Sequence, residues 1–206
     1  MLKLWGRVNS INVQKVRWAL AELNVAYERF DAGMQFGVVN EPHYRRLNPN
    51  GRVPTIEDDR FVLWESNAIV RYLACRHGEG GLWPADVRQR ADADRWMDWT
   101  SSTLQPLITP VFWGLVRTPA EQRDMAAIHS LIEKTDETFL ILEEQLADRP
   151  YVAGSALTMG DIVLGPFVHR WYGMPIERRK HARVEAYFER LQERPAYRDT
   201  VMIPLT

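Results

Sequence analysis

The sequence contains a single cysteine, Cys75, so no intramolecular disulfide can form, which fits a reducing compartment. Its histidines, His43, His77, His129, His169 and His181, are dispersed without zinc-ligand spacing, and no metal site is expected. Long apolar runs are missing too. The charge-free stretch 100–116 carries Gln105, Pro106 and Pro110, which makes it too short and too polar for a bilayer span. The opening MLKLWGRVNS lacks the apolar run of a secretory signal. Charge of one sign is not in excess: 26 Lys plus Arg stand against 27 Asp plus Glu, a net charge of −1. Residues 1–86 hold 11 basic and 10 acidic groups and the remainder 15 and 17. Neither half draws in a phosphate backbone or anionic lipid, so nucleic acid and membrane are not expected partners. A cytoplasmic protein is the expectation.

What is present is apolar substance. At 206 residues, 46% hydrophobic and 11% aromatic, the chain can bury a substantial core as one large domain or two small ones. Leu2 and Leu4 alternate with Lys3 and Trp5 as in a strand, and Val13, Val16, Leu20 and Leu23 then recur at helical spacing. A second strand is predicted over 26–30 and a short helical turn over 42–47, broken by Asn48-Pro49-Asn50-Gly51. Residues 54–57 and 61–64 read as a hairpin turning at 58–60, and Ser66 is placed to cap a helix running to His77. From Gly78 the composition changes to a Gly- and Pro-containing linker. Helices are predicted after it over 87–116 with bends at Pro106 and Pro110, over 119–146 with Thr118 as cap, over 159–172 and over 178–192. The fold class is therefore an α/β N-terminal domain, 1–78, a linker, 79–86, and an all-α C-terminal domain, 87–206.

Four separated motifs carry a resemblance across nearly the whole chain: SINVQKVR at 10–17, LNPNGRVPTIEDD at 47–59, WESNAIVRYLA at 64–74 and ALTMGDIVLG at 156–165. Each is weak alone. In this order and spacing they resemble the cytosolic glutathione transferases, in particular the theta-like and Nu-like bacterial members. The resemblance implies a thioredoxin-like domain followed by a helical one, a homodimer, glutathione as cosubstrate without a metal, and a small hydrophobic electrophile as second substrate.

Residue by residue, the resemblance implies a cis Pro54 that leaves the Val53 backbone free to pair with the cysteinyl part of glutathione. It also implies that Ser66, at a helix start, holds the γ-glutamyl carboxylate with Glu65 near its ammonium, and that Arg52 and Asn50 face the glycine end. Ser10 stands where theta-like members place a catalytic serine, while Ser10-x-Asn12 also resembles the Nu pattern, so both remain candidate donors to the sulfur. Ser and Asn are equally the residues that cap helices, and Glu-Ser is an ordinary helix start. Tyr27 and Tyr44 do not stand at the N-terminal tyrosine position of the alpha, mu and pi classes. No cysteine lies near Ser10, and Cys75 reads as a small core hydrophobe on the inner face of its helix.

A free thiol of this kind has a pKa of about 8.5, and lowering it by about two units takes roughly 2.7 kcal/mol of preferential thiolate stabilisation. One hydrogen bond to the charged form contributes about 1.5–3 kcal/mol and a helix N-terminus about 0.3–1 kcal/mol, so a single positioned donor suffices. Phe36, Ile108, Phe112 and Trp113 are the candidates for an electrophile pocket between the domains. Thr158 and Asp161 read as a helix cap with a folding role. Two other activities stay open at this point: glutathione-dependent peroxide or disulfide reduction, and a non-catalytic glutathione-fold binding module.

Overall fold

In a computed structural model describing all 206 residues, the N-terminal part is a four-stranded mixed sheet with three helices. Strand β1 (Leu2–Trp5) pairs in parallel with β2 (Tyr27–Phe30) and antiparallel with β3 (Thr55–Asp58), and β3 pairs antiparallel with β4 (Phe61–Trp64). The spatial order is β2-β1-β3-β4. Alternation along β1 sorts its side chains by face: Leu2 and Leu4 are buried in the core, whereas Trp5 stacks on Phe30 at 4.7 Å and meets the edge of Tyr44 at 5.9 Å. Tyr44 belongs to α2 (Pro42–Leu47), which places that helix over the Trp5 side of the sheet. Helices α1 (Ile11–Glu22) and α3 (Ser66–His77) pack on each other.

Beyond the linker come α4 (Val87–Trp99), α5 (Gln105–Phe112), α6 (Met125–Gln145), α7 (Met159–Gly173), α8 (Ala182–Gln192) and α9 (Pro195–Thr200). The two parts share one hydrophobic core, because α7 packs against α1 and α3 as well as α4. Gly165 makes this approach possible: a Cβ there would lie 2.6 Å from the Trp18 ring carbon Cζ3. The Trp18 ring is closed off by the edge of Tyr197, whose hydroxyl donates to the Gly165 carbonyl at 2.8 Å. Arg194 then forks onto Glu22 at 2.6 and 2.7 Å, tying the end of α8 to the end of α1.

Several expectations are corrected. The helix expected over 87–116 is not regular: π turns at Thr100–Leu104 and Trp113–Arg117 flank α5, with Pro106 in its first turn and Pro110 inside it. Thr118 caps nothing downstream. Its hydroxyl donates back to the Trp113 carbonyl at 3.1 Å, and α6 begins only at Met125, capped by Asp124 accepting from the Ala127 N–H at 2.9 Å. The helix expected from 178 starts at Ala182, after the extended residues beyond α7. Cys75 is exposed, because Ile69, Val70, Leu73 and Ala74 form the buried face of α3 and position 75 turns out of it.

Asp161 closes the start of α7 as expected. Its buried carboxylate accepts from the Thr158 N–H at 2.8 Å, the Thr158 hydroxyl at 3.0 Å, the Val152 N–H at 3.0 Å and the Tyr187 hydroxyl at 3.1 Å.

Candidate active site

The loop from β1 to α1 brings Ser10 to the mouth of a cleft of about 440 Å³ between the sheet domain and α5, lined also by Arg7, Asn12, Arg52, Val53, Phe112, Trp113, Arg117 and Arg170. Ser10 is the N-cap residue of α1, yet its side chain makes no cap hydrogen bond. Capping therefore does not account for the hydroxyl, which is 7% exposed and lines the cleft. Asn12 sits in the first turn of the same helix, where its Oδ1 accepts from the Ser66 hydroxyl at 3.3 Å. That bond turns the amide so that the NH₂ end is the one left to donate.

Val53–Pro54 is cis. The loop before it is held from behind: the Tyr44 hydroxyl donates to the Arg52 carbonyl at 2.7 Å, and the Asn48 amide donates to the same carbonyl at 2.9 Å. Neither the N–H nor the C=O of Val53 makes a hydrogen bond within the chain, so this backbone can take an added strand from a ligand. Asn50 is turned away, with its side-chain amide donating to Asn48 Oδ1 at 3.2 Å.

Glu65 precedes α3 with φ 71°, a left-handed conformation that is costly for a residue with a Cβ. Ser66 is the first helical residue, and its hydroxyl does not cap the helix, in contrast to the sequence expectation; it bridges Asn12 and Lys15 instead. Lys15 was not singled out by sequence reasoning, since a lysine in an amphipathic helix reads as surface. It is 1% exposed, with Nζ 3.2 Å from Asn67 Oδ1, 3.5 Å from Ser66 Oγ and 5.1 Å from the Phe167 ring centre. Burial first, and the nearby Arg170 second, push its ammonium down to about 7, while Glu65 acts in the opposite sense. The Asn67 amide donates onward to the Met97 carbonyl at 3.1 Å and Ser101 Oγ at 3.0 Å, joining this network to α4 and the first π turn.

Of the apolar candidates, Phe112 and Trp113 line the cleft. Ile108 is fully buried in the core instead, and Phe36, in the short helix Met34–Phe36, is exposed and does not line the cleft. A wider hollow of about 670 Å³ opens beside residues 175–179 and α6, away from Ser10.

Residues 1–75 match the family model for the glutathione S-transferase N-terminal domain, and residues 124–190 that for the glutathione S-transferase C-terminal domain. Glutathione S-transferase GstB of Escherichia coli K12 is 41% identical over 208 residues, covering 100% of both chains. Glutathione S-transferase 3 of Zea mays is 30% identical, covering 99% of this chain and 95% of that one. Among solved structures, the theta class glutathione S-transferase of Xanthomonas axonopodis pv. citri with glutathione bound superposes with a TM-score of 0.96 at 46% identity, over 100% of this chain and 99% of that one.

Proposed function

The chain belongs to the glutathione S-transferase family and is a glutathione transferase with glutathione as its cosubstrate, and from that premise we propose how its residues divide the work. Ser10 and Asn12 donate hydrogen bonds to the sulfur and hold it as thiolate at the start of α1. The observation that carries this assignment is that neither side chain is used for capping, and that Asn12 has its oxygen occupied by Ser66. Two such donors, each contributing about 1.5–3 kcal/mol to a charged acceptor, exceed the roughly 2.7 kcal/mol that a two-unit fall in thiol pKa requires.

Glutathione lies along the cleft with its cysteinyl backbone on Val53, its γ-glutamyl carboxylate at Ser66 and the first turn of α3, and its ammonium at Glu65. Arg52 meets the glycyl carboxylate. The strained backbone at Glu65 supports this placement, because such conformations persist where a ligand contact depends on them. The thiolate then attacks an electrophile seated on Phe112 and Trp113: a carbon–sulfur bond forms, and the leaving group departs with its electron pair.

The same reading divides the chain at the linker 79–86. It places the protein in the cytoplasm, in keeping with its single, unpaired cysteine and with the lack of any helix long and apolar enough to cross a membrane. It also makes the protein a homodimer: β4 is an edge strand that leaves Phe61 and Trp64 exposed, an apolar border a second copy can cover. The test of the site is a glutathione titration that records affinity and thiolate absorbance together, on the native protein and on the Ser10→Ala, Asn12→Ala double variant. The expected result is thiolate formation near neutral pH that the double variant loses while still binding glutathione; thiolate retained in the double variant overturns the assignment.

A further inference from the structure

Four guanidinium groups line the cleft, Arg52 among them, and no carboxylate side chain pairs with any; with Arg52 assigned to glutathione, three remain. Arg7 comes from the β1–α1 loop, Arg117 from the second π turn and Arg170 from α7. Every ion pair in the molecule lies elsewhere. Arg170 is 5% exposed, and its Nε is buried without a hydrogen-bond partner, as is the Nε of Arg7. Arg117 donates from Nη2 at 2.9 Å and from Nε at 3.3 Å to the main-chain oxygen of Thr206, the last residue, and to no side chain. A buried cation without a counter-ion costs several kcal/mol, and three cations converging on one cavity oppose one another as well. Their pKa values carry the mark of this: Arg170 is pushed down to about 9 by burial and then by Arg117 and Arg7, and Arg7 is lowered by burial and by Arg117.

Aromatic surface lies against these charges. The Arg170 guanidinium carbon is 3.9 Å from the centre of the Phe112 ring, and that of Arg117 is 4.9 Å from Phe112 and 4.5 Å from Trp113. These contacts hold the guanidinium planes in place and leave their N–H edges to donate. A neutral apolar substrate would gain nothing from that arrangement. An anion carried on a planar body would accept from the guanidinium Nη groups that open to the cleft and lie on Trp113, which is 45% exposed.

We propose that the second substrate is an anionic electrophile, an aromatic or conjugated carbon framework bearing a carboxylate, with the carboxylate held by Arg170 and Arg7 and the ring placed against Trp113. This rests on the reading of the cleft as the transferase site, in which the two carboxylates of glutathione are already assigned to Ser66 and Arg52. The reaction is substitution: the glutathione thiolate attacks the carbon that carries a halide, the carbon–sulfur bond forms, and the halide leaves with the bonding pair. The thiol proton has already passed to solvent.

Two matched pairs of probes test the proposal. The protein is first saturated with S-methylglutathione, and binding of 3,5-dinitrobenzoate is compared with that of 3,5-dinitrobenzamide. Turnover of 4-chloro-3,5-dinitrobenzoate and its amide is then compared with glutathione itself. The expected result is at least a tenfold preference for the carboxylate in both comparisons, reduced to near unity in Arg170→Met and in Arg7→Gln. Equal binding of the first pair by the native protein overturns the anionic-substrate proposal and leaves the transferase reading standing. A preference that survives both substitutions overturns the assignment to these arginines. A rise in glutathione KM that is the same with both electrophiles, with no loss of preference, means that the arginines serve glutathione's own carboxylate, and this also overturns it. Failure of S-methylglutathione to bind at all is the distinct outcome that removes the underlying reading.

Discussion

The Ser66 hydroxyl donates to Asn12 Oδ1 at 3.3 Å, across 54 residues of sequence. The residue assigned to the γ-glutamyl carboxylate thereby sets the rotation of the amide assigned to the thiol. On that assignment substrate clamping and thiol activation form one unit, and Lys15 reaches it through Ser66 and Asn67.

Ser10→Ala and Asn12→Ala are each expected to lower kcat/KM by roughly 10- to 100-fold, the equivalent of one hydrogen bond to a charged sulfur. In the double variant the loss should fall short of the product of the two, because the donors share one acceptor. Steady-state kinetics of the three variants checks this, and a double variant with native kcat/KM removes both residues from the mechanism.

Folding lowers the pKa of Lys15 from the ordinary lysine value to about 7. Between about 7 and that ordinary value the unfolded chain binds a proton that the folded chain has released, so stability rises with pH across this window. Lys15→Met should flatten that rise. Denaturant titrations from pH 7 to 10 decide the point, and a slope unchanged by the substitution contradicts it.

Binding of a carboxylate at Ser66 should draw a proton back onto Lys15, whose Nζ lies 3.5 Å from Ser66 Oγ. The groups facing that ammonium are Arg170, which opposes the uptake, and Glu65, which favours it. S-methylglutathione has no thiol proton to release, so at pH 8 its binding should take up protons. Calorimetry in buffers of different ionisation enthalpy measures the uptake; it should vanish in Lys15→Met, and zero uptake by the native protein refutes the linkage.

Asp161→Ala leaves four donors without their acceptor in a buried site. The expected loss is about 3 kcal/mol or more, or roughly 6–12 °C in Tm for a chain of this size. Thermal unfolding that matches the native protein would rule Asp161 out as a folding determinant.

Local pattern was legible where it governed structure. Alternation at Leu2 and Leu4 marked β1, the hairpin signals located β3 and β4, and Thr158-x-x-Asp161 marked the start of α7. Misreadings arose where a residue had two possible partners close in sequence. Thr118 closes the turn before it rather than the helix after it, and Ser66 turns its hydroxyl toward α1 rather than toward its own helix. Least legible were the charges. Arg7, Arg117 and Arg170 lie far apart in sequence and have the polarity of surface residues, as does the buried Lys15, so no periodicity announces that folding collects the three arginines at one cleft and encloses the lysine. Helix α9 was missed for a related reason: it is fixed by Tyr197 against Trp18, a contact made across the whole chain.

The π turn Trp113–Arg117 accommodates one residue more than an α-helical turn would hold. The extra residue is taken up within one turn, so the chain reaches Arg117 with little change in the direction its side chains face, while Ile108, Val111 and Phe112, upstream, keep their places in the core. In descent, then, this turn is a place where the gain or loss of a residue can be absorbed beside the cleft without disturbing the packing that precedes it.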